Sequence, residues 1–240
     1  MNKLIFFDTE TTGNTEKDCL IQLAYKYNDV SFTGLYKPPI PIPPEASAVH
    51  HITNKMVADK PFFKDSGDLE ETKKLFEDKD SIMVAHNAFF DLMIIHKEGI
   101  NPNNFICTLR VARYLDKEEK MERYNLQYLR YLLDLDIEAT AHDAMGDVLV
   151  LEKLFAKQKK ELMEKENLNE EEVIKKMVEI SSHPSILRSF KFGKHNGKKV
   201  EDVLAMDRGY LEWLLAQKLE SDQIDDDWIY TLKHHLGLGK

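Results

Sequence analysis

Short apolar runs and longer amphipathic stretches alternate along this chain, and their order predicts the fold. Leu4, Ile5, Phe6 and Phe7 form an unbroken apolar run, too short for a helix and ended by charge, which predicts a strand buried on both faces. Over residues 20–27, Leu23, Tyr25 and Tyr27 alternate with Ala24 and Lys26, and residues 30–36 read as a third strand beyond the turn-forming Asn28-Asp29. Such close spacing predicts an antiparallel meander. Five of the eight prolines lie between positions 37 and 44, which predicts an extended surface loop. Thr53 is suited to cap a short helix after it.

The second half of the pattern is helix-rich. Leu69, Thr72, Leu75 and Phe76 have helical spacing over residues 66–78, residues 82–85 predict a fourth strand, and Asn87 opens a helix carrying Leu92 and Ile95. Phe105 and Ile106 predict a short fifth strand before a helix over 109–115, and Asn125 caps a helix with Leu126, Leu129 and Leu133. From Asp143 a long helix runs through Val148, Leu151, Leu154 and Phe155 into a Lys/Glu-rich tail, near 157–172, that reads as a solvated face. Strands first, then strands alternating with helices, predict an α/β mixed sheet covered on both faces. The expected organisation is a main domain over 1–165, a helical linker over 166–182 and a small, mainly helical module over 183–240.

Composition narrows the function classes. The 240 residues are 42% hydrophobic and 31% charged, which suits a packed core and not a disordered chain. A net charge of −9 argues against coating nucleic acid by bulk electrostatics, so any polyanion must meet local positive charge or a metal. Cys19 and Cys107 have no CxxC or zinc spacing and read as reduced thiols. Neither a cleavable signal nor a run of about 18 apolar residues is present, so a cytoplasmic protein without membrane contact is expected.

Three acidic clusters carry the candidate chemistry. Asp8 and Glu10 close the first strand two residues apart, hence on one face, where like charges withdrawn from water invite a cation; an ordinary Asp-x-Glu turn is the alternative. Asn87 and Asp91, four apart, fall on one helix face, although a capped helix with a surface Asp would read the same. His142 and Asp147 can face one site only if His142 is in the loop and Asp147 in the first helical turns. A loop histidine beside a fixed carboxylate is suited to proton transfer; a surface histidine beside an N-cap remains open. Four carboxylates and no thiolate suit Mg²⁺ or Mn²⁺, and two such ions can clamp a phosphodiester.

The stretches Phe7-Asp8-Thr9-Glu10-Thr11-Thr12-Gly13, His86-Asn87-Ala88-Phe89-Phe90-Asp91 and His142-x-x-x-x-Asp147 resemble the DEDDh branch of the DnaQ-like 3′–5′ exonucleases. Within that family the exodeoxyribonuclease X group is most similar, through His50-x-Ile52-Thr53, residues 56–61, Ile106-Cys107-Thr108-Leu109 and Phe190-Lys191-Phe192-Gly193-Lys194. The resemblance implies a ribonuclease-H-like five-stranded sheet and hydrolysis of 3′-terminal nucleotides from DNA, in repair or replication. It implies that Asp8, Glu10, Asp91 and Asp147 hold two Mg²⁺, with Mn²⁺ as substitute, and that His142 is the general base. Thr9, Thr11, Thr12, His50, Asn87 and Phe90 match positions that hold the terminal nucleotide in relatives. Many relatives have Asp where this chain has Cys107 before Thr108, a form shared with the exodeoxyribonuclease X group.

Residues 186–199 carry Arg188, Lys191, Lys194, Lys198 and Lys199 with no acid, interleaved with Phe190 and Phe192, and Gly193 and Gly197 allow a tight turn. This reads either as a basic hairpin in which Lys191 and Lys194 bind DNA or as a packing module with solvated lysines. Helices are expected over 200–204, 209–215 and 221–235. RNA trimming uses the same motifs and stays open, since no motif residue reads the 2′-hydroxyl. A non-catalytic binding protein would be expected to have lost an acidic position, and none is missing. A phosphatase acting on free nucleotides fits less well beside aromatic and histidine positions.

Overall fold

The computed structural model describes residues 2–137, 143–222 and 225–238. Strands β1 (Lys3–Thr11), β2 (Leu20–Tyr27) and β3 (Val30–Leu35) form the expected meander. Helices α1 (Pro44–His50) and α2 (Asp68–Phe76) precede β4 (Ser81–Ala85) and α3 (Ala88–Lys97), and β5 (Asn104–Cys107) leads into α4 (Thr108–Leu115). Then come α5 (Leu126–Leu132), α6 (Ala144–Glu166), α7 (Glu170–Ser182), α8 (Val200–Met206), α9 (Arg208–Glu220) and α10 (Asp226–Leu236). The sheet order is β3-β2-β1-β4-β5; β2 is antiparallel to β1 and β3, and β4 runs parallel to β1 and β5. This is the mixed five-stranded, ribonuclease-H-like sheet.

Strand parity divides the core. Ile5, Phe7, Leu23, Met83 and Ala85 face one layer with Phe76 of α2 and Leu92, Ile94 and Ile95 of α3. Phe6, Ala24, Ile82, Val84 and Ile106 face the other, with Val148, Leu151 and Phe155 of α6 and Val173 and Met177 of α7. Period-two alternation thus assigns every residue of β1 to a layer, and at its carboxyl end the assignment becomes chemical.

Two expectations change and a third gains detail. No helix follows Thr53; residues 54–59 turn, and the helix lies upstream, starting at Pro44, where a missing N–H costs nothing. Asn87 is the N-cap of α3 with φ 62°, so it is exposed while Asp91 is buried, and the two do not share a helix face. Residues 166–182, expected as a helical linker, hold α7, which opens with an Asn169–Glu172 capping box and buries Val173, Ile174 and Met177 on the β5 side of the sheet.

The C-terminal helices have their own core of Leu187, Phe190, Val200, Val203, Leu211, Leu214, Leu215, Trp228, Leu232 and Leu236. Residues 189–199 form the expected hairpin: Ser189 bridges Lys199, and Gly193 and Gly197 take φ of 65° and 82°. Phe190, however, is fully buried and stacks on Trp228 at 4.8 Å, so it is a core residue and not a contact surface. Asp227 fastens this module to the sheet domain. It is buried and accepts hydrogen bonds from Arg110 Nε (3.2 Å), from Arg113 and from the Ser185 amide (2.9 Å). Among the described residues no helix is long and apolar enough to cross a membrane.

Candidate active site

Asp8 and Glu10 lie on the α6 side of β1, and Asp147 is in the first turn of α6, whose N-terminus is capped by the Asp143 carboxylate accepting from the Gly146 amide. One carboxylate oxygen from each of Asp8, Glu10 and Asp147 lies within 4.8 Å of the others. Asp91 arrives from the opposite layer, on α3. Thr9, of the other parity, meets it there: the Thr9 amide and hydroxyl donate to Asp91 Oδ1 at 3.1 and 2.7 Å. The single sequence Asp8-Thr9-Glu10 therefore aims two acids at one helix and holds a third acid on the other.

The electrostatics of this cluster are unfavourable by themselves. Burial, then the charges of Asp91, Glu10 and Asp147, push the Asp8 carboxyl well above its ordinary value. Burial, then Asp147 and Asp91, raises Glu10 to about 8. Burial lifts Asp91 to about 7 even though the Thr9 hydrogen bonds favour its anion. Three converging oxygen donors, half-buried or buried, with the carboxyls of Asp8 and Glu10 pushed up, make a donor set that fits a hard divalent cation.

Other site residues have mixed placements. Thr11 and Thr12 are buried, and their hydroxyls are committed to Gly13 O (2.5 Å) and Asp18 Oδ1 (2.8 Å), so with Thr9 they shape the strand end and do not offer free hydroxyls. His50 is buried at the end of α1 and accepts the Ile52 amide at Nδ1 (3.0 Å). Phe90 is half-buried against the α3-side core. Lys194 pairs with Asp207 at 2.7 Å, whereas Lys191 lines a cleft that Asn87 also lines. His142 lies outside the described residues.

Two residues escaped assignment from the sequence. Gln127 of α5 donates from Nε2 to Asp147 Oδ1, while its Oε1 accepts from Arg130 (3.3 Å), which fixes the amide orientation. His86 has a ring nitrogen, Nε2, 2.7 Å from the Tyr124 carbonyl, which can only accept, so the proton is on Nε2 and Nδ1 faces the Thr108 hydroxyl at 2.9 Å. Burial lowers His86 to about 4, so it stays neutral and acts as a strut between β4 and the loop before α5. The His-Asn-x-x-x-Asp motif marked His86 without revealing this partner, and nothing local marks Gln127.

Residues 5–155 match the family model described as exonuclease, and residues 190–218 match that of the exodeoxyribonuclease X-like C-terminal region. Exodeoxyribonuclease 10 of Escherichia coli K12 is 32% identical over 205 residues, covering 84% of this chain and 83% of that protein. DNA polymerase III subunit epsilon of Treponema pallidum is 30% identical over 161 residues, covering 62% and 73%. Among solved structures, Exonuclease X in complex with 5′ overhanging duplex DNA superposes with a TM-score of 0.56 at 26% identity, covering 74% of this chain and 99% of that one. Family members depend on divalent metal, and the carboxylates at the end of β1 are where this chain can hold it. By these matches, and by the sheet that carries them, the chain belongs to the exonuclease family and is a phosphodiester hydrolase of the exodeoxyribonuclease X-like kind.

Proposed function

We propose that this protein is a 3′–5′ exodeoxyribonuclease that uses two Mg²⁺ ions, with Mn²⁺ as substitute, and releases nucleoside 5′-monophosphates from DNA ends in repair or replication. The convergence of Asp8, Glu10 and Asp147 within 4.8 Å carries this reading. Asp8, Glu10 and Asp147 would hold one ion, and Asp8 with Asp91 the second. Bound there, the ions supply charge for the phosphate oxygens and acidify a water.

The chain's own groups do the rest. Gln127 and Thr9 keep Asp147 and Asp91 in place. His142, in the segment just before the Asp143 cap, takes the proton from the attacking water. The new bond joins that water's oxygen to phosphorus, the P–O3′ bond breaks, and the shortened strand keeps a 3′-hydroxyl. Phe90, half-buried, supplies aromatic surface that accepts any terminal base. A cytoplasmic setting suits the substrate.

The test uses matched single-stranded DNA and RNA labelled at the 5′ end, with Mg²⁺ and an Asp8→Ala control. A descending DNA ladder is expected, lost in the variant by about 10³-fold or more, since the ions supply several kcal/mol of charge stabilisation. Faster loss of RNA would move the substrate to RNA on the same mechanism. An Asp8→Ala protein with near-normal rate would sink the metal assignment.

A further inference from the structure

The C-terminal module does not simply rest on the sheet domain; it is held on two sides of the active-site end. Asp227 is locked to Arg110 and Arg113 of α4, and Glu119 accepts from the Arg188 amide at 2.6 Å and from the Ser189 hydroxyl. On another side, Lys17 of the loop between β1 and β2 pairs with Asp222 at 2.7 Å, and the Glu16 amide reaches the Asp222 carbonyl. Between module and domain is a cleft of about 550 Å³. His86 and Asn87 are among its lining residues, and Asp91 follows Asn87 by four residues, about 6 Å along α3 at 1.5 Å per residue.

The walls of this cleft combine aromatic faces with cations. Tyr124, Phe192 and Trp228 supply rings, and Phe192 keeps 37% of its surface exposed. Arg123 is exposed with no hydrogen-bond or ion-pair partner among the described residues, and Lys191 reaches only the Glu119 carbonyl, at 3.4 Å. The acids of the lining are largely engaged: Glu119 holds the hairpin, and Asp225 pairs with Lys218 at 2.5 Å, leaving Glu122. Arg123, with Lys191 near it on the lining and the exposed Phe192 ring, suits a strand with phosphates outside and unstacked bases within.

We infer that this cleft is a track for single-stranded DNA, holding nucleotides upstream of the 3′ end while the terminal one occupies the carboxylate site. The inference rests on the exonuclease reading and extends it: the module lengthens the footprint and sets affinity for longer strands. Rigid docking through Asp227 keeps the two walls in register.

The experiment compares wild type, Arg123→Glu and Phe192→Ala. Binding of 5′-fluorescein dT12 is read by anisotropy in EDTA from 50 to 300 mM salt, and Mg²⁺-dependent hydrolysis is measured for dT12 and for a dinucleotide that ends short of the cleft. Each variant is expected to weaken dT12 binding about tenfold. Arg123→Glu is also expected to flatten the log Kd–log salt slope by about 0.7, the value for one contact to a single strand. Dinucleotide hydrolysis keeps its wild-type kcat/KM. Unchanged dT12 binding in both variants would overturn the track, as would a loss of dinucleotide hydrolysis equal to that of dT12. If wild type cleaves nothing while the variants still lose dT12 binding, the exonuclease reading falls and the track stands.

Discussion

Asp8 and Asp227 are both withdrawn from water, yet one is surrounded by acids and the other by arginines. Asp227 receives Arg110, Arg113 and a backbone amide, so its charge is met by the chain itself. Arg110 in turn donates to the Ser181 carbonyl (2.8 Å) and lies over the Phe89 ring at 3.9 Å, which completes its own surroundings. Asp8 faces Glu10, Asp91 and Asp147, and among the described residues no lysine or arginine bonds to it; burial and these charges push its carboxyl well above its ordinary value. The first arrangement is finished on folding. The second is finished only when something from solution arrives.

The contrast can be broken by removing one acid at a time. Asp227→Ala leaves Arg110 buried without its partner and is expected to cost about 3–5 kcal/mol in urea unfolding; a loss under 1 kcal/mol would mean that the latch contributes little. Gln127→Ala is expected to weaken Mn²⁺ binding about 10–100-fold by calorimetry, the usual cost of losing a group that orients a ligand, with the fold intact by circular dichroism. Asp8→Asn goes the other way in the metal-free protein, raising stability by about 0.5–2 kcal/mol as like-charge crowding is relieved. Equal signs for Asp8→Asn and Asp227→Ala would erase the distinction between the two sites.

The contrast also has a pH dependence. Metal-free, Glu10 keeps its proton up to about 8 and Asp91 to about 7, against ordinary values of 4.5 and 3.8. Between these limits the folded state binds more protons than the unfolded one, so stability falls as pH rises from about 4.5 to about 8. Thermal melts in EDTA are expected to give a lower Tm at pH 8 than at pH 5.5, and added Mg²⁺ should raise Tm more at pH 8. A Tm that climbs with pH in EDTA would contradict the crowded-acid picture.

How much of this was legible in the sequence depends on the range of the interaction. Asp8 and Glu10 could be placed on one face because alternation is a property of two neighbouring residues, and Asp143 could be read as a cap for the same reason. Gln127 could not, since its contact with Asp147 requires α5 to pack on α6 across 20 residues. Asp227 meets Arg110 across 117 residues, and nothing near either marks the other. Helix α7 was hidden differently: its Lys and Glu residues dominate the composition, while Val173, Ile174 and Met177 alone decide its burial. Phe190 stood open between a DNA-binding hairpin and a packing module, and the ring of Trp228, 38 residues away, is what places it in a core.

The pleat of β1 carries a reading frame of its own. Both edges of the strand are hydrogen-bonded, to β2 and to β4, so the strand cannot slide to absorb a change in length. Inserting or deleting one residue between Lys3 and Phe7 would present Thr9 to α6 and turn Asp8 and Glu10 toward α3, exchanging ligand for spacer along the whole strand end. Length variation in descendants of this sequence is therefore admissible beyond Thr12, in the loop that joins β1 to β2, and closed to them before it.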